Sequence, residues 1–150
     1  MVLFRSKKKE FLSQLAYNER ISDMVLISPD GEWFISLGQR IEELIDEGVA
    51  RVDMYHRRHK GWIVRMDIVY HKHKREMFLG DIVSKIENRG YGSRMLEFLI
   101  SLSKEIGCRT ICGNLSNTDA DHFDKLRYWY EKYGFEVNIK DGQGVIRRHL

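Results

Sequence analysis

The run Glu87-Asn88-Arg89-Gly90-Tyr91-Gly92-Ser93-Arg94-Met95-Leu96 constrains this chain more than any other stretch. A strand-like apolar run, Met77 to Ile86, comes before it. A helical pattern follows, with Met95, Leu99, Leu102 and Ile106 on one face. Two glycines flank one residue at the tip, so the pattern predicts a strand–turn–helix with bare backbone at its turn. Such a turn aims free N–H groups and the positive end of a helix at its guest, and phosphate is the usual one. Glycine is required there because a Cβ would block close approach or forbid positive φ. A Gly-x-Gly is common in turns, so its neighbours must carry the rest of the argument.

The neighbours read as a mixed sheet with helices. Residues 6–19 form a basic, weakly amphipathic helix with Phe11, Leu12 and Leu15 on one side. Val25 to Ile27 is a short strand. Ser28-Pro29-Asp30-Gly31 is a strong turn signal, and Trp33 to Leu37 pairs back as a hairpin arm. Ile41, Leu44 and Ile45 mark a short helix that stops at Gly48. Val49–Tyr55, Trp62–His71 and Met77–Ile86 read as successive antiparallel strands with polar, basic connections. The helix over Ser93–Ile106 ends at Gly107, Thr110–Leu115 is a strand, and Asp121–Tyr133 is a helix closed by Gly134. Phe135–Ile139 and Val145–Arg148 are the last strands, joined through Asp141-Gly142. The strand–helix–strand unit implies one parallel pair inside a mixed sheet, with the glycine turn at the C-terminal end of its strand.

At 150 residues the chain has the length of a single domain, 1–150, with a real core. Its one proline, Pro29, argues against disordered linkers, and no apolar run approaches a membrane span. The N-terminal residues MVLFRSKKKE break into charge after four positions and lack a signal-peptide core, so a cytoplasmic location is expected. A net charge of +3 suits an anionic ligand without demanding nucleic acid. Cys108 and Cys112 have no second cysteine pair to complete a zinc site and are expected to be reduced, structural thiols.

The C-terminal half resembles a known family. The run ENRGYGSRMLEFLISLSKEIGC, followed by SNTDADHFDKLRYWYEKYGFEV, is similar to the GCN5-related N-acetyltransferase superfamily over roughly residues 77–150. The family's acetyl-CoA signature, Gln/Arg-x-x-Gly-x-Gly/Ala, falls on Glu87, Asn88, Arg89, Gly90, Tyr91 and Gly92. Its later YEKxGF element falls on Tyr130-Glu131-Lys132-Tyr133-Gly134-Phe135. The first signature position departs from the pattern, being Glu87. A second register, Arg89 to Arg94, restores the arginine but puts Arg94 where Gly or Ala belongs. The resemblance implies an α/β acyl-CoA N-acyltransferase fold, with a central, mostly antiparallel mixed sheet flanked by helices. It also implies acetyl-CoA as cosubstrate, held in a splayed gap between the Met77–Ile86 and Thr110–Leu115 strands.

In that family an amine attacks the thioester directly, which needs a diphosphate cradle, a base or water path, and an acid for the thiolate. The backbone of Gly90, Tyr91, Gly92 and Ser93 is the implied cradle. Arg89 and Arg94 are placed to add charge-assisted bonds to phosphate oxygens. Tyr130 matches the tyrosine that protonates the sulfur, and a phenol with an ordinary pKa near 10 holds its proton until thiolate develops. A packed aromatic is the alternative, because Tyr128, Trp129 and Tyr133 crowd the same helix. Asn117 occupies the place of a cofactor-contacting asparagine, or else caps the turn. Asp119 and Asp121 flank the same loop, and Asp121 caps the helix or faces a cationic acceptor. Asp81 and Glu76 are the carboxylates available as general base.

His71 and His73, and His56 and His59, form close pairs without a carboxylate or thiol to complete a metal set, so no metal is expected. With the neighbouring Lys and Arg they make two basic clusters, read as solvated rims; an RNA, an acidic partner or the coenzyme's 3′-phosphate is the competing reading. The acceptor is expected to be an amine, on a small molecule or a peptide. A homodimer is plausible, a membrane partner is not expected, and a nucleic-acid partner is disfavoured. The alternative to an enzyme is a non-catalytic acyl-CoA-binding or partner-binding module on the same fold.

Overall fold

The computed structural model describes residues 7–87, 89–115 and 123–150. The described residues form helices α1 (Lys7–Ile21), α2 (Ile41–Glu47), α3 (Tyr91–Ile106) and α4 (Phe123–Lys132). The strands are β1 (Val25–Ile27), β2 (Trp33–Ser36), β3 (Val49–His56), β4 (Trp62–His71), β5 (Glu76–Ser84), β6 (Thr110–Leu115), β7 (Glu136–Lys140) and β8 (Gln143–His149). They make one sheet in the order β1-β2-β3-β4-β5-β6-β8-β7. Every neighbouring pair is antiparallel except β5 and β6.

The N-terminal strands form the expected meander because each connection carries its own turn chemistry. Ser28 Oγ donates to Asp30 Oδ1 at 2.7 Å and accepts the Trp33 N–H, closing the β1–β2 turn. Gly48, at φ 77, ends α2 in the left-handed conformation and delivers the chain into β3. The β7–β8 hairpin turns through Asp141 and Gly142, at φ 55 and 75, the sign that two-residue hairpins prefer.

Alternation along the strands builds two unlike faces. The rungs Ile35–Met54, Val52–Met66 and Met66–Ile82 put apolar side chains on one face. There they join the core with Met95, Phe98, Leu99 and Leu102 of α3, a helix whose apolar stripe the sequence predicted. Phe123 and Tyr130 of α4 extend the same core toward Val137 and Ile146. The other face carries Phe34 and Tyr55, stacked at 5.0 Å, with Phe11 of α1 at 5.3 Å from Phe34. Farther along that face lie ion pairs, Arg65 with Asp53 and Arg51 with Asp67.

Element boundaries moved slightly. Helix α3 starts at Tyr91 rather than Ser93, because Gly90 at φ 75 is the residue that turns the chain into it. Strand β5 runs from Glu76 to Ser84 rather than from Met77 to Ile86. Helix α4 is described from Phe123, so the proposed cap Asp121 lies outside the described residues. No described helix is long and apolar enough to cross a membrane.

Candidate functional site

The parallel pair is short, and that shortness makes the site. Strands β5 and β6 face each other over only four rungs, from Glu76–Thr110 to Leu79–Gly113. Beyond Leu79, β5 continues alongside β4 as far as Ser84. Beyond Gly113, β6 continues alongside β8 to the Leu115–Gly144 rung. Past the Leu79–Gly113 rung the two strands no longer pair, and among the described residues, 80–84 on one side and 114–115 on the other share no rung.

A bulge in β5 marks the point of parting. Ile68 faces Leu79 and Met66 faces Ile82, so Gly80 and Asp81 together stand opposite Asp67. Such an extra residue bends its strand and increases its twist. A Cβ on Gly80 would lie 3.1 Å from the Asp67 carbonyl, so the tight crossing here favours glycine. Gly113 is more constrained: its Cβ would sit 2.9 Å from the Leu79 carbonyl. Among the described residues, the backbone N–H and C=O groups on these two edges find no strand partner across from them, which suits an extended guest, as at any open strand edge.

The N-terminus of α3 caps the same end of the sheet. Its first helical hydrogen bond runs from the Arg94 N–H to the Gly90 carbonyl, at 3.3 Å. The N–H groups of Tyr91, Gly92 and Ser93 come before any intrahelical acceptor and carry the positive end of the helix dipole. Side chains from distant parts of the chain hold this terminus. The Trp129 indole N–H donates to Ser93 Oγ at 2.8 Å, and the same ring borders Gly92. On the other flank the Tyr91 ring lies 6.0 Å from that of His56, at the end of β3. Burial, and the neighbouring His59, hold the His56 imidazole below its usual 6.5, and its Nδ1 accepts the Arg58 N–H. None of these supports was read from the sequence; Trp129 carried no signal beyond being one of several aromatics in α4.

The sequence-predicted residues fall as follows. Gly90, Tyr91, Gly92 and Ser93 form the helix terminus described above. Glu87 and Arg89 are exposed on the approach to it. Arg94 turns toward Glu97, 3.0 Å away, and lines a groove with Leu26, Ile27 and Trp33. Asp81 is exposed on the bulge, at the mouth of the gap. Tyr130 is 7% exposed, edge-on to Trp129 at 4.8 Å and to Phe135 at 5.5 Å, whereas Tyr128 is 74% exposed. Asn117 and Asp119 lie outside the described residues.

The structure separates the two carboxylates that the sequence offered as bases. Glu76 sits at the closed end of the β5–β6 ladder. It accepts the Cys112 S–H at 2.9 Å and the Thr110 hydroxyl at 3.3 Å, and Arg147 stands 3.7 Å away. These donors hold its carboxyl below the usual range. Asp81 alone of the two is at the gap. Cys112 and Cys108 are both buried and free, with burial pushing the first thiol up to about 12 and the second up to about 11.

No protein-family model matches the chain. Over 61 residues it is 31% identical to the uncharacterized protein YocC of Bacillus subtilis strain 168. That match covers 41% of this chain and 36% of the relative, so the matched part spans about a third of the relative's length. Solved structures match more widely. An acetyltransferase of Bacillus subtilis in complex with CoA aligns with a TM-score of 0.55 at 14% identity, over 73% of this chain and 84% of that one. The PaiA N-acetyltransferase of Thermoplasma acidophilum, in complex with coenzyme A, gives 0.57 at 12% identity, over 73% and 67%. Nourseothricin acetyltransferase gives 0.53 at 16% identity, over 69% and 66%. The fold of this chain is that of the GCN5-related N-acetyltransferases, an open, mostly antiparallel eight-stranded sheet with helices.

Proposed function

We propose that the chain is an acetyl-CoA-dependent N-acetyltransferase that moves an acetyl group to an amine by direct attack. The parting of β5 and β6 after Leu79 and Gly113 carries this reading. A pantetheine arm is extended and carries amides, which is what two unpaired strand edges can bind. A diphosphate suits the α3 terminus, where Gly90 at φ 75 opens the turn and the Tyr91, Gly92 and Ser93 amides point outward. Acetyl-CoA would supply the activated thioester.

The chain's own groups have distinct tasks in this reading. The backbone at 90–93 holds the diphosphate, with Arg89 adding charge, and Asn117 contacts the cofactor. Arg94 holds Glu97 through Nη1, so it is its Nε and Nη2 groups that could add charge-assisted bonds. Asp81, at the mouth of the gap, takes the proton from the attacking amine directly or through water. Tyr130 donates a proton to the departing sulfur. The acceptor is a small-molecule or peptide amine.

Calorimetric titration with acetyl-CoA tests the proposal, with Ser93→Asp as control. The new carboxylate keeps an acceptor for Trp129 and suits a helix N-terminus, so the fold should survive. It would repel a diphosphate and weaken binding by at least about tenfold. Unchanged affinity in the control would move the diphosphate elsewhere, and no binding in the parent would end the reading. Binding without turnover of any amine would leave a coenzyme A-binding module instead.

A further inference from the structure

The free half of β5 carries a patterned surface of which the tasks above use only Asp81. From the bulge onward, Asp81, Val83 and Lys85 share one face of the strand, alternating with Ile82 and Ser84, which face the core helices. The Lys85 N–H continues the ladder to the Ile63 carbonyl at 2.8 Å, so its position in the pleat is secured. Asp81 and Lys85 are exposed, and Val83 between them is 51% exposed. Among the described residues neither Asp81 nor Lys85 takes part in an ion pair.

The neighbouring strand supplies a fixed platform beside this row. Arg65 is the cross-strand partner of Val83. Asp53 grips it at 2.7 and 3.0 Å through Nε and Nη2, and among the described residues its other N–H groups make no hydrogen bond. The Arg65 guanidinium lies 4.4 Å from the centre of the Trp62 ring, and Lys85 Nζ lies 3.8 Å from the same ring. One indole thus holds two cations on the face beside the gap. Asp81 stands about 7 Å along the strand from the Arg65 rung and about 13 Å from Lys85, at about 3.3 Å per residue.

We infer that the acceptor is an amine that also carries a carboxylate, lying along the β4–β5 face. Its ammonium meets Asp81 at the gap, its carbon chain crosses Val83, and its carboxylate meets Lys85 and the free N–H groups of Arg65. The inference rests on the transferase reading for the position of the gap. It goes further by naming the acceptor's class. A simple diamine would put its second cation against Lys85 and Arg65, and a monoamine would leave that platform without a partner.

The test compares 6-aminohexanoate with hexylamine and cadaverine, following release of the coenzyme thiol, in the parent chain and in Lys85→Glu. Acetyl-CoA affinity is measured in parallel by calorimetry. The parent should favour the amino acid by about tenfold or more in kcat/KM. The charge reversal should erase that preference through KM and improve cadaverine, while acetyl-CoA affinity holds. Equal use of all three amines, or preference for cadaverine in the parent, overturns this inference and leaves the transferase standing. Absence of acetyl-CoA binding overturns the transferase reading and this inference with it.

Discussion

Leu79 of β5 and Gly113 of β6 face each other at the last rung of the parallel ladder, and a Cβ on Gly113 would stand 2.9 Å from the Leu79 carbonyl. The closed part of the sheet meets the open part at a place where only a hydrogen atom fits.

Gly113→Ala should therefore cost about 1–3 kcal/mol, because backbone at the hinge of the gap must shift to admit the methyl group. Gly92→Ala should change stability by less than about 0.5 kcal/mol, since its new Cβ meets only Trp129, at 3.7 Å. Urea denaturation of both variants checks the contrast. Equal losses would mean that the close approach at Gly113 relaxes without cost.

Ser93→Ala removes the acceptor of the Trp129 indole N–H at 2.8 Å. The loss should be about 1 kcal/mol, with more if the indole N–H finds no water. A double-mutant cycle with Trp129→Phe separates the bond from the packing. A coupling energy near zero would show that α4 docks on α3 through its rings alone.

Acid should act on stability in two steps. Burial lowers the His56 pKa below 6.5, with His59 adding to it while Glu32 and Asp30 oppose, so the unfolded chain binds more protons than the folded one just below that value. The contribution of His56 is complete above pH 6.5 and is lost as the pH falls below it. Hydrogen bonds hold Asp23, Asp30 and Glu76 below their ordinary values of 3.8, 3.8 and 4.5. Their contribution is complete above those values and disappears only in stronger acid. Melting curves of the parent and of His56→Gln at stepwise pH should lose the upper step in the variant and keep the lower one. An unchanged upper step would assign it to other histidines.

Both cysteines should resist a thiol reagent in the folded chain. With pKa values of about 11 and about 12 and 7% exposure each, Cys108 and Cys112 are almost entirely protonated and shielded at neutral pH. Ellman's reagent should label neither until denaturant is added, after which both react. Rapid labelling of native protein would contradict their burial.

Much of the fold was legible because its signals are local. Val25–Ile27, Trp62–His71 and Thr110–Leu115 were bounded as the structure has them, since β-branched and apolar runs between turn residues need no distant partner to be recognised. The α3 stripe and the turn at Gly90 were legible for the same reason: periodicity and positive φ belong to a few successive residues. The parallel pair also followed, because a strand–helix–strand unit leaves its strands few other ways to meet.

The candidate site was legible only in part. The glycine turn announced itself, but the bulge at Gly80 and Asp81 did not, because it is a register shift against Asp67 on another strand. That shift, with the length of the β5–β6 ladder, decides that Asp81 stands at the gap and Glu76 at its closed end. The clamp of Trp129 on Ser93 spans 36 residues. The meeting of Arg65, Trp62 and Lys85 spans a hairpin. Residue order governs turns, caps and periodic faces, because these are set by the torsions and side chains of neighbours. Only tertiary structure places a carboxylate, an indole and two cations beside one opening, because strand register and helix docking are settled by the packing of the whole core.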